Sequence, residues 1–229
     1  MATLTIAALF WLFIHLGIAG SPLRGVLIAR LGDNGFRGLF SALSAIGLAG
    51  LIWGYGAARG AENVALWGAP PWLHWLVILG MLPASILLVG SLTVPNPGLV
   101  GAEKLLVREE PARGMLRVTR HPMLIAFALW ALLHLLANGD LASVLLFGSV
   151  LIVAVAGTFS IDRKRAQAMP ADWPRFAAVT SILPFAAMAS GRNRLVVSEF
   201  WLPLALGAGV WIALLLLHPL AIGVPALPG

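Results

Sequence analysis

The chain has 229 residues, of which 60% are hydrophobic and 10% are charged, and its mean hydropathy is +0.94. Soluble domains are about half apolar and a quarter charged, so this composition excludes a water-soluble monomer. A net charge of +6 carried by so few ionisable residues excludes a nucleic-acid-binding face, and the lack of cysteine excludes disulfides, thiolate metal sites and covalently attached haem.

Six apolar segments reach or approach the roughly 20 residues that a helix needs to cross a bilayer. They cover residues 2–20, 38–58, 72–92, 122–138, 141–161 and 200–220. The sequence therefore predicts an all-α, polytopic membrane bundle of about six helices, organised as a single domain over residues 1–229.

The first segment contains a histidine in its apolar interior. No basic residue precedes the apolar run, which favours a retained helix over a cleaved signal peptide. His15 lies well inside the segment, with Trp11 one turn before it. Because a buried imidazole without a partner is costly, we expect His15 to bind a ligand or to join a polar network.

The second and third segments carry packing and interface signals. Gly50 and Gly54, then Gly56 and Gly60, repeat the spacing of small residues that lets membrane helices approach closely. His74 follows two prolines and a tryptophan at the outer end of the third segment, where a structural role at the membrane interface is the expectation.

The last three segments hold the remaining histidines. The fourth is short, begins at Pro122, and is joined to the fifth only by residues 138–140, which predicts an antiparallel hairpin. His134 lies inside the fourth segment, and we expect it, like His15, to bind a ligand or to join a polar network. His121 lies at the start of the fourth segment, where it can cap the helix or contact a phosphate headgroup, and His218 ends the sixth.

Basic residues predict the orientation of the chain. Arg59 lies in the second loop, and the other fourteen of the 15 Lys and Arg lie in the first, third and fifth loops. Lys and Arg are retained in the cytoplasm, so both termini are predicted outside. Residues 99–121 and 173–190 are expected to lie on the membrane surface as interfacial helices, with their basic side chains near anionic lipid.

A specific run of residues extends from Thr119-Arg120-His121-Pro122 to Asn138-Gly139-Asp140. Together with shorter runs elsewhere, it resembles the NnrU family, whose members are bacterial integral membrane proteins associated with denitrification. The resemblance covers essentially the whole chain. Shorter matching runs are Phe13-Ile14-His15, Ser21-Pro22-Leu23-Arg24, residues 29–37, Leu217-His218-Pro219-Leu220 and Gly223-Val224.

The NnrU family is related to the zeta-carotene isomerase of plants and cyanobacteria, a membrane enzyme that holds haem b non-covalently. The resemblance implies a bacterial inner-membrane protein, haem b as cofactor and an apolar small molecule as substrate. In that membrane, the termini that the basic residues place outside are expected to be periplasmic. His134 and His15 are the residues that match as ligands of the haem iron, and His218 and His121 are further candidates. Gly20 stands before Ser21-Pro22, where family members often have another histidine.

The depth of the histidines in the predicted topology leaves their pairing open. His15 lies in the inner half of the bilayer and His134 lies near the outer end of its segment, so their Cα atoms differ in depth by about 12 Å. An upright haem between the two helices needs axial ligands at similar depth. On depth alone His15 pairs better with His121, and His134 with His218.

Two other functions are compatible with the sequence. Arg120-His121-Pro122 at a helix start also occurs in membrane methyltransferases that act on isoprenylcysteine or phospholipid. Those enzymes have a pair of glutamates after a later helix, whereas the matching stretch here, Ile161-Asp162-Arg163-Lys164-Arg165, is mainly basic. The chain could instead be a non-catalytic assembly or regulatory factor for nitrite and nitric oxide reduction, with histidines that pack or bind haem without turnover.

Overall fold

The computed structural model describes residues 1–60, 63–97, 106 and 110–227, and most of them are helical. Within these ranges the β-type pairing is one isolated antiparallel bridge between Ala65 and Asp140, so the predicted all-α fold is confirmed. The helices are α1 (Ala2–Leu12, continued by a π-helix over Phe13–Ala19), α2 (Leu23–Arg59), α3 (Pro71–Thr93), α4 (Met115–Val118), α5 (Pro122–Ala137), α6 (Leu141–Ala168), α7 (Asp172–Ala178), α8 (Ala186–Ala189) and α9 (Trp201–Ile222).

Five described helices are long and apolar enough to cross a membrane: α1 with its π-helical continuation, α2, α3, α6 and α9. The fourth predicted segment forms α5, which has 16 residues and is shorter than a full span. Its length matches the expectation of a short fourth segment, and the predicted helical membrane bundle is confirmed.

Helix α2 is longer than the sequence predicts. It begins at Leu23, and the predicted first loop, with its three arginines, is therefore part of a 37-residue helix. The helical path is interrupted at Gly32, where φ is 72° and ψ is 167°. A residue with a Cβ rarely adopts this backbone conformation, so glycine at this position permits the break.

The chain divides into two compact units. The first consists of Met1–Pro70 and Ala131–Gly157, and the second of Pro71–Trp130 and Thr158–Gly229. In the first unit α1 packs along α2. A Cβ at Gly54 would lie 2.9 Å from the Cα of Leu4, and one at Gly50 would lie 3.3 Å from the Cβ of Ala7. The predicted contact therefore exists at Gly50 and Gly54, whereas Gly56 has no neighbour within 4 Å.

The predicted turn between the fourth and fifth segments is also present in the first unit. Helix α5 ends at Ala137 and α6 begins at Leu141. Asp140 caps α6, because its carboxylate accepts hydrogen bonds from the backbone N–H of Ser143 at 2.9 Å and from the Ser143 hydroxyl at 2.8 Å. The side-chain amide of Asn63 also donates to Asp140, at 2.8 Å. Burial opposes ionisation of Asp140, but these hydrogen bonds prevail and lower the pKa of its carboxyl.

The second unit is built around α3, α9 and the short helix α4. Trp211 of α9 donates its indole N–H to the carbonyl oxygen of Ile78 in α3, at 2.9 Å. All four residues of α4 are buried, so Met115–Val118 is covered by protein instead of presenting a free surface. Much of the third loop, residues 98–105 and 107–109, lies outside the described residues. In the fifth loop, α7 forms at the start of the segment for which an interfacial helix is predicted, and the short helix α8 follows after Pro184.

Candidate functional site

His15 lies in the π-helical segment that continues α1. Its Nδ1 is 2.9 Å from the carbonyl oxygen of Trp11. A carbonyl can only accept, so Nδ1 carries the proton and donates to it. The ring is half-buried between two aromatic rings, with centroid distances of 4.1 Å to Trp11 and 5.3 Å to Phe40 of α2. Single π-helical turns within α-helices are frequent at functional sites.

This hydrogen bond fixes the tautomer of His15. With the proton on Nδ1, a neutral imidazole presents a lone pair at Nε2, and an Nδ1–H bonded to a backbone carbonyl is the usual support of a metal-ligating histidine. The aromatic rings hold the imidazole plane in place. His15 is therefore arranged to act as a ligand through Nε2.

Two buried polar atoms lie on the same packed helices. The indole nitrogen of Trp11, whose ring packs against His15, is buried without a hydrogen-bond partner among the described residues. The hydroxyl of Ser44, one turn beyond Phe40 in α2, is likewise buried and unpaired within the described chain. Such groups are costly in an apolar region, and their presence fits a polar ligand near His15.

His134 belongs to the same unit as His15 but to α5. Its half-buried ring is tilted against Phe147 of α6, with ring centroids 5.1 Å apart. Asn138, four residues after His134, donates its side-chain amide to the His134 carbonyl oxygen at 2.8 Å. Phe147 also contacts Tyr55, whose hydroxyl is 3.1 Å from that of Ser143. His134 thus lies beside a small polar and aromatic cluster on α2, α5 and α6.

His218 belongs to the second unit and lies in the last turns of α9. Its Nδ1 donates to the carbonyl oxygen of Val224 at 2.7 Å, so its Nε2 is left with the lone pair, as in His15. His74 is half-buried near the start of α3.

His121 has a different environment from the other candidate ligands. It is 4% exposed, and its Nε2 lies 2.7 Å from a carboxylate oxygen of Asp162 in α6. Arg120 donates to both oxygens of the same carboxylate. The three side chains link the start of α5 to the end of α6, and because Nε2 of His121 is already bonded, only Nδ1 remains for a ligand.

Asp162 is a partner of His121 that the sequence does not reveal. The two residues are 41 positions apart, and a lone carboxylate gives no spacing signal. A weaker signal is the presence of an acidic residue at the end of an apolar helix, since a carboxylate at such a place needs a cation or a donor nearby. The contacts with Asp162 give Arg120 and His121 a structural role that does not involve the cofactor of a methyltransferase.

No group of three or more His, Cys, Asp or Glu side chains that could hold a metal occurs among the residues that the structure describes. His15 and His134, the two residues expected to hold haem iron, both belong to the first unit. The pairings of His15 with His121 and of His134 with His218 stay predictions.

A second charged cluster surrounds Arg117, which is 4% exposed. Its guanidinium donates to both oxygens of Glu199, at 2.8 and 3.0 Å, to Asn193 at 3.1 Å and to Glu110 at 3.2 Å. The backbone N–H of Gly114 also donates to Glu199, at 2.6 Å. The hydrogen bonds from Arg117 lower the pKa of Glu199, and Glu199 in turn raises the pKa of Arg117. This network joins α4 to the start of α9.

Comparisons with known proteins extend over nearly all of the chain. A family model described as "NnrU protein" matches residues 3–226. The chain is 25% identical over 188 residues, 81% of its length, to the 15-cis-zeta-carotene isomerase, chloroplastic, of Arabidopsis thaliana. It is 29% identical over 82 residues to the enzyme of the same name from Zea mays, over 36% of this chain. The chain spans 50% of the first relative and 22% of the second. No solved structure matches the chain.

Proposed function

The chain belongs to the NnrU family, and from this membership we propose that it is a membrane protein that holds haem b non-covalently through His15. The observation that carries the proposal is the His15 side chain, whose Nδ1–H is bonded to a backbone carbonyl inside an apolar helix and whose Nε2 is left as a ligand. We assign the protein to the bacterial inner membrane, with periplasmic termini.

The chain itself supplies the environment of the iron. His15 and His134 would hold the haem iron, with His218 as a further candidate and His121 ranked last because its Nε2 is bonded to Asp162. Trp11 and Phe40 fix the His15 ring and exclude water from it. The unpaired donors of Trp11 and Ser44 are available to a polar edge of the bound group. When bound, haem supplies an iron centre able to interact with a double bond or with nitric oxide.

For the activity, we favour cis–trans isomerisation of a long apolar polyene. The similarity to a 15-cis-zeta-carotene isomerase extends over 81% of this chain, which supports a related reaction. A polyene would enter from the bilayer, which suits a chain with five apolar helices long enough to span it. A role in denitrification rests on the resemblance to the family alone.

The absorption spectrum of the purified protein tests haem binding. Protein from a haem-replete host is expected to show a Soret band, and His15→Ala is expected to remove most of that absorbance. His74→Ala is the matched control, because His74 lies in the other unit near a helix end, and it should keep the band. Colourless wild-type protein, or a full Soret band in His15→Ala, would contradict the assignment.

The pigments of a host that accumulates 15-cis-zeta-carotene test the activity separately. Expression of the chain is expected to shift the carotenoid pool towards another isomer, and His15→Ala should abolish the shift. If the protein is red but the isomer ratio is unchanged, the proposal of haem binding stands and 15-cis-zeta-carotene is excluded as the substrate.

A further inference from the structure

The second unit contains a basic cavity that the proposed haem site does not use. Its volume is about 340 Å³, within the range of small-ligand sites. It is lined by residues that flank α4 and by residues between α7 and α9: Glu110, Pro111, Ala112, Arg117, Val179, Gly191, Arg192, Asn193 and Arg194.

Three arginines and one glutamate line this cavity among the described residues, and together with Glu199, the partner of Arg117, this set carries one net positive charge. Glu199 neutralises Arg117 through a bidentate ion pair. Glu110 lines the cavity together with Arg192 and Arg194, and its contact with Arg194 is 3.3 Å long. A group with a single negative charge, such as a phosphodiester, complements this arrangement.

Arg192 is already held in a binding conformation. Its Nε donates to Ser190 at 2.8 Å, and its Nη1 donates to the carbonyl oxygens of Ala178 at 2.8 Å and Thr180 at 3.0 Å. Its Nη2 has no acceptor among the residues that the structure describes. Three hydrogen bonds already fix the guanidinium. A ligand that accepts a hydrogen bond from Nη2 therefore causes little further loss of side-chain entropy when it binds.

The surroundings of the cavity are those of a membrane surface. Leu195 and Val197, directly after the arginines, are 56% and 74% exposed, and Trp201 begins the spanning helix α9. Leu183 and Phe185, between α7 and α8, are 70% and 56% exposed, and Phe185 lies in the left-handed region with φ of 64°. Exposed apolar side chains next to arginines at the start of a span are typical of chain at headgroup depth.

From the cavity, its charge and this apolar border, we infer that the second unit binds the phosphodiester of an anionic phospholipid. Arg192 and Arg194 contact the phosphate, and Leu195 and Val197 contact the acyl chains. The site is independent of the haem proposal, because none of its residues belongs to the first unit.

Native mass spectrometry of the purified full chain, with phosphatidylglycerol and phosphatidylcholine of the same acyl chains, tests the inference. Wild-type protein is expected to retain phosphatidylglycerol preferentially. Arg194→Gln should lower that preference by about fivefold and the Arg192→Gln/Arg194→Gln double variant by roughly tenfold or more. Arg175→Gln is the matched control, because Arg175 is an exposed arginine of the same loop that does not line the cavity, and it should leave the preference unchanged.

A variant that is expected to bind more lipid distinguishes a specific effect of the arginine substitutions from misfolding. Glu110→Gln removes the negative charge beside the two arginines, so it should raise the retention of phosphatidylglycerol. Equal preferences in Arg194→Gln, Arg175→Gln and wild type would overturn the site. Displacement of phosphatidylglycerol from wild type by millimolar inorganic phosphate at constant ionic strength would overturn the lipid as ligand and identify a soluble phosphate ligand instead.

Discussion

The guanidinium of Arg117 is a buried charge whose main partner is the carboxylate of Glu199, with Glu110 as a second and more exposed partner. Glu199→Gln removes the main negative partner but leaves the cation inside the protein. Breaking a buried ion pair is strongly destabilising, and Glu110 offsets part of the loss, so we expect the variant to lose about 3 kcal/mol of stability. Arg117→Met should lose less, because the side chain of Glu199 is 23% exposed and can be solvated. Thermal unfolding in detergent measures both, with Asp33→Asn, an exposed acid in α2, as the control.

The pKa of Glu199 gives this contribution a pH dependence. Because Arg117 lowers the pKa of Glu199 in the folded protein, the stabilisation is complete above the ordinary pKa of a carboxyl, about 4.3. It is lost as the pH falls through the lowered pKa. The difference in melting temperature between wild type and Glu199→Gln should therefore be constant from neutral pH to about 5 and shrink below it. A difference that grows on acidification would contradict the ion pair.

The sequence alone predicts the contacts of some residues but not those of others. His15 and its contact with Trp11 follow from helical spacing, because residues four apart lie on one face. Asp162, Glu199 and Asn193 carry no such signal, since each meets its partner only after distant helices pack. The lone pair of the His15 Nε2 likewise depends on a hydrogen bond that no pattern of residue types specifies.

At the scale of helices, α1 and α2 depend on one close backbone approach. Gly54→Val would place a Cβ 2.9 Å from the Cα of Leu4, and backbone atoms cannot move aside as a flexible side chain can. We expect a loss of about 2–3 kcal/mol, seen as a lower melting temperature in detergent. Gly56→Val is the matched control, two residues along the same helix with nothing within 4 Å, and it should melt like wild type. Equal losses in both variants would indicate an effect of valine on the helix itself.

Hydropathy predicts where the helices lie along the chain, but it predicts their first and last residues less accurately. All six predicted apolar segments are helical, because a run of apolar residues in lipid must satisfy its backbone internally. Hydropathy places the start of α2 about fifteen residues too late, since its arginines resemble a loop although residues 23–31 can form a helix. The break at Gly32 and the π-helical turn around His15 depend on tertiary packing, which one sequence does not display.

The lack of cysteine makes the orientation of the whole chain directly measurable. Gly68→Cys, in the loop before α3, and Ala189→Cys, at the end of α8, place single exposed thiols in loops of opposite predicted location. In intact bacterial cells an impermeant maleimide should label Gly68→Cys, and Ala189→Cys only after the membrane is opened. The unsubstituted chain is the control. Labelling of Ala189→Cys alone in intact cells would reverse the orientation and place the termini in the cytoplasm.

The π-helical turn over Phe13–Ala19 can be created or removed by inserting or deleting a single residue. Such a turn contains one residue more than the α-helical turn it replaces, so a single inserted codon in a regular membrane helix is enough to create it. Removing one residue after His15, such as Leu16, would return the segment to α geometry and rotate the residues beyond the deletion by about 100° relative to α1. The π-helical geometry around His15, on which the proposed ligand site rests, is therefore one mutational event away from an ordinary helix.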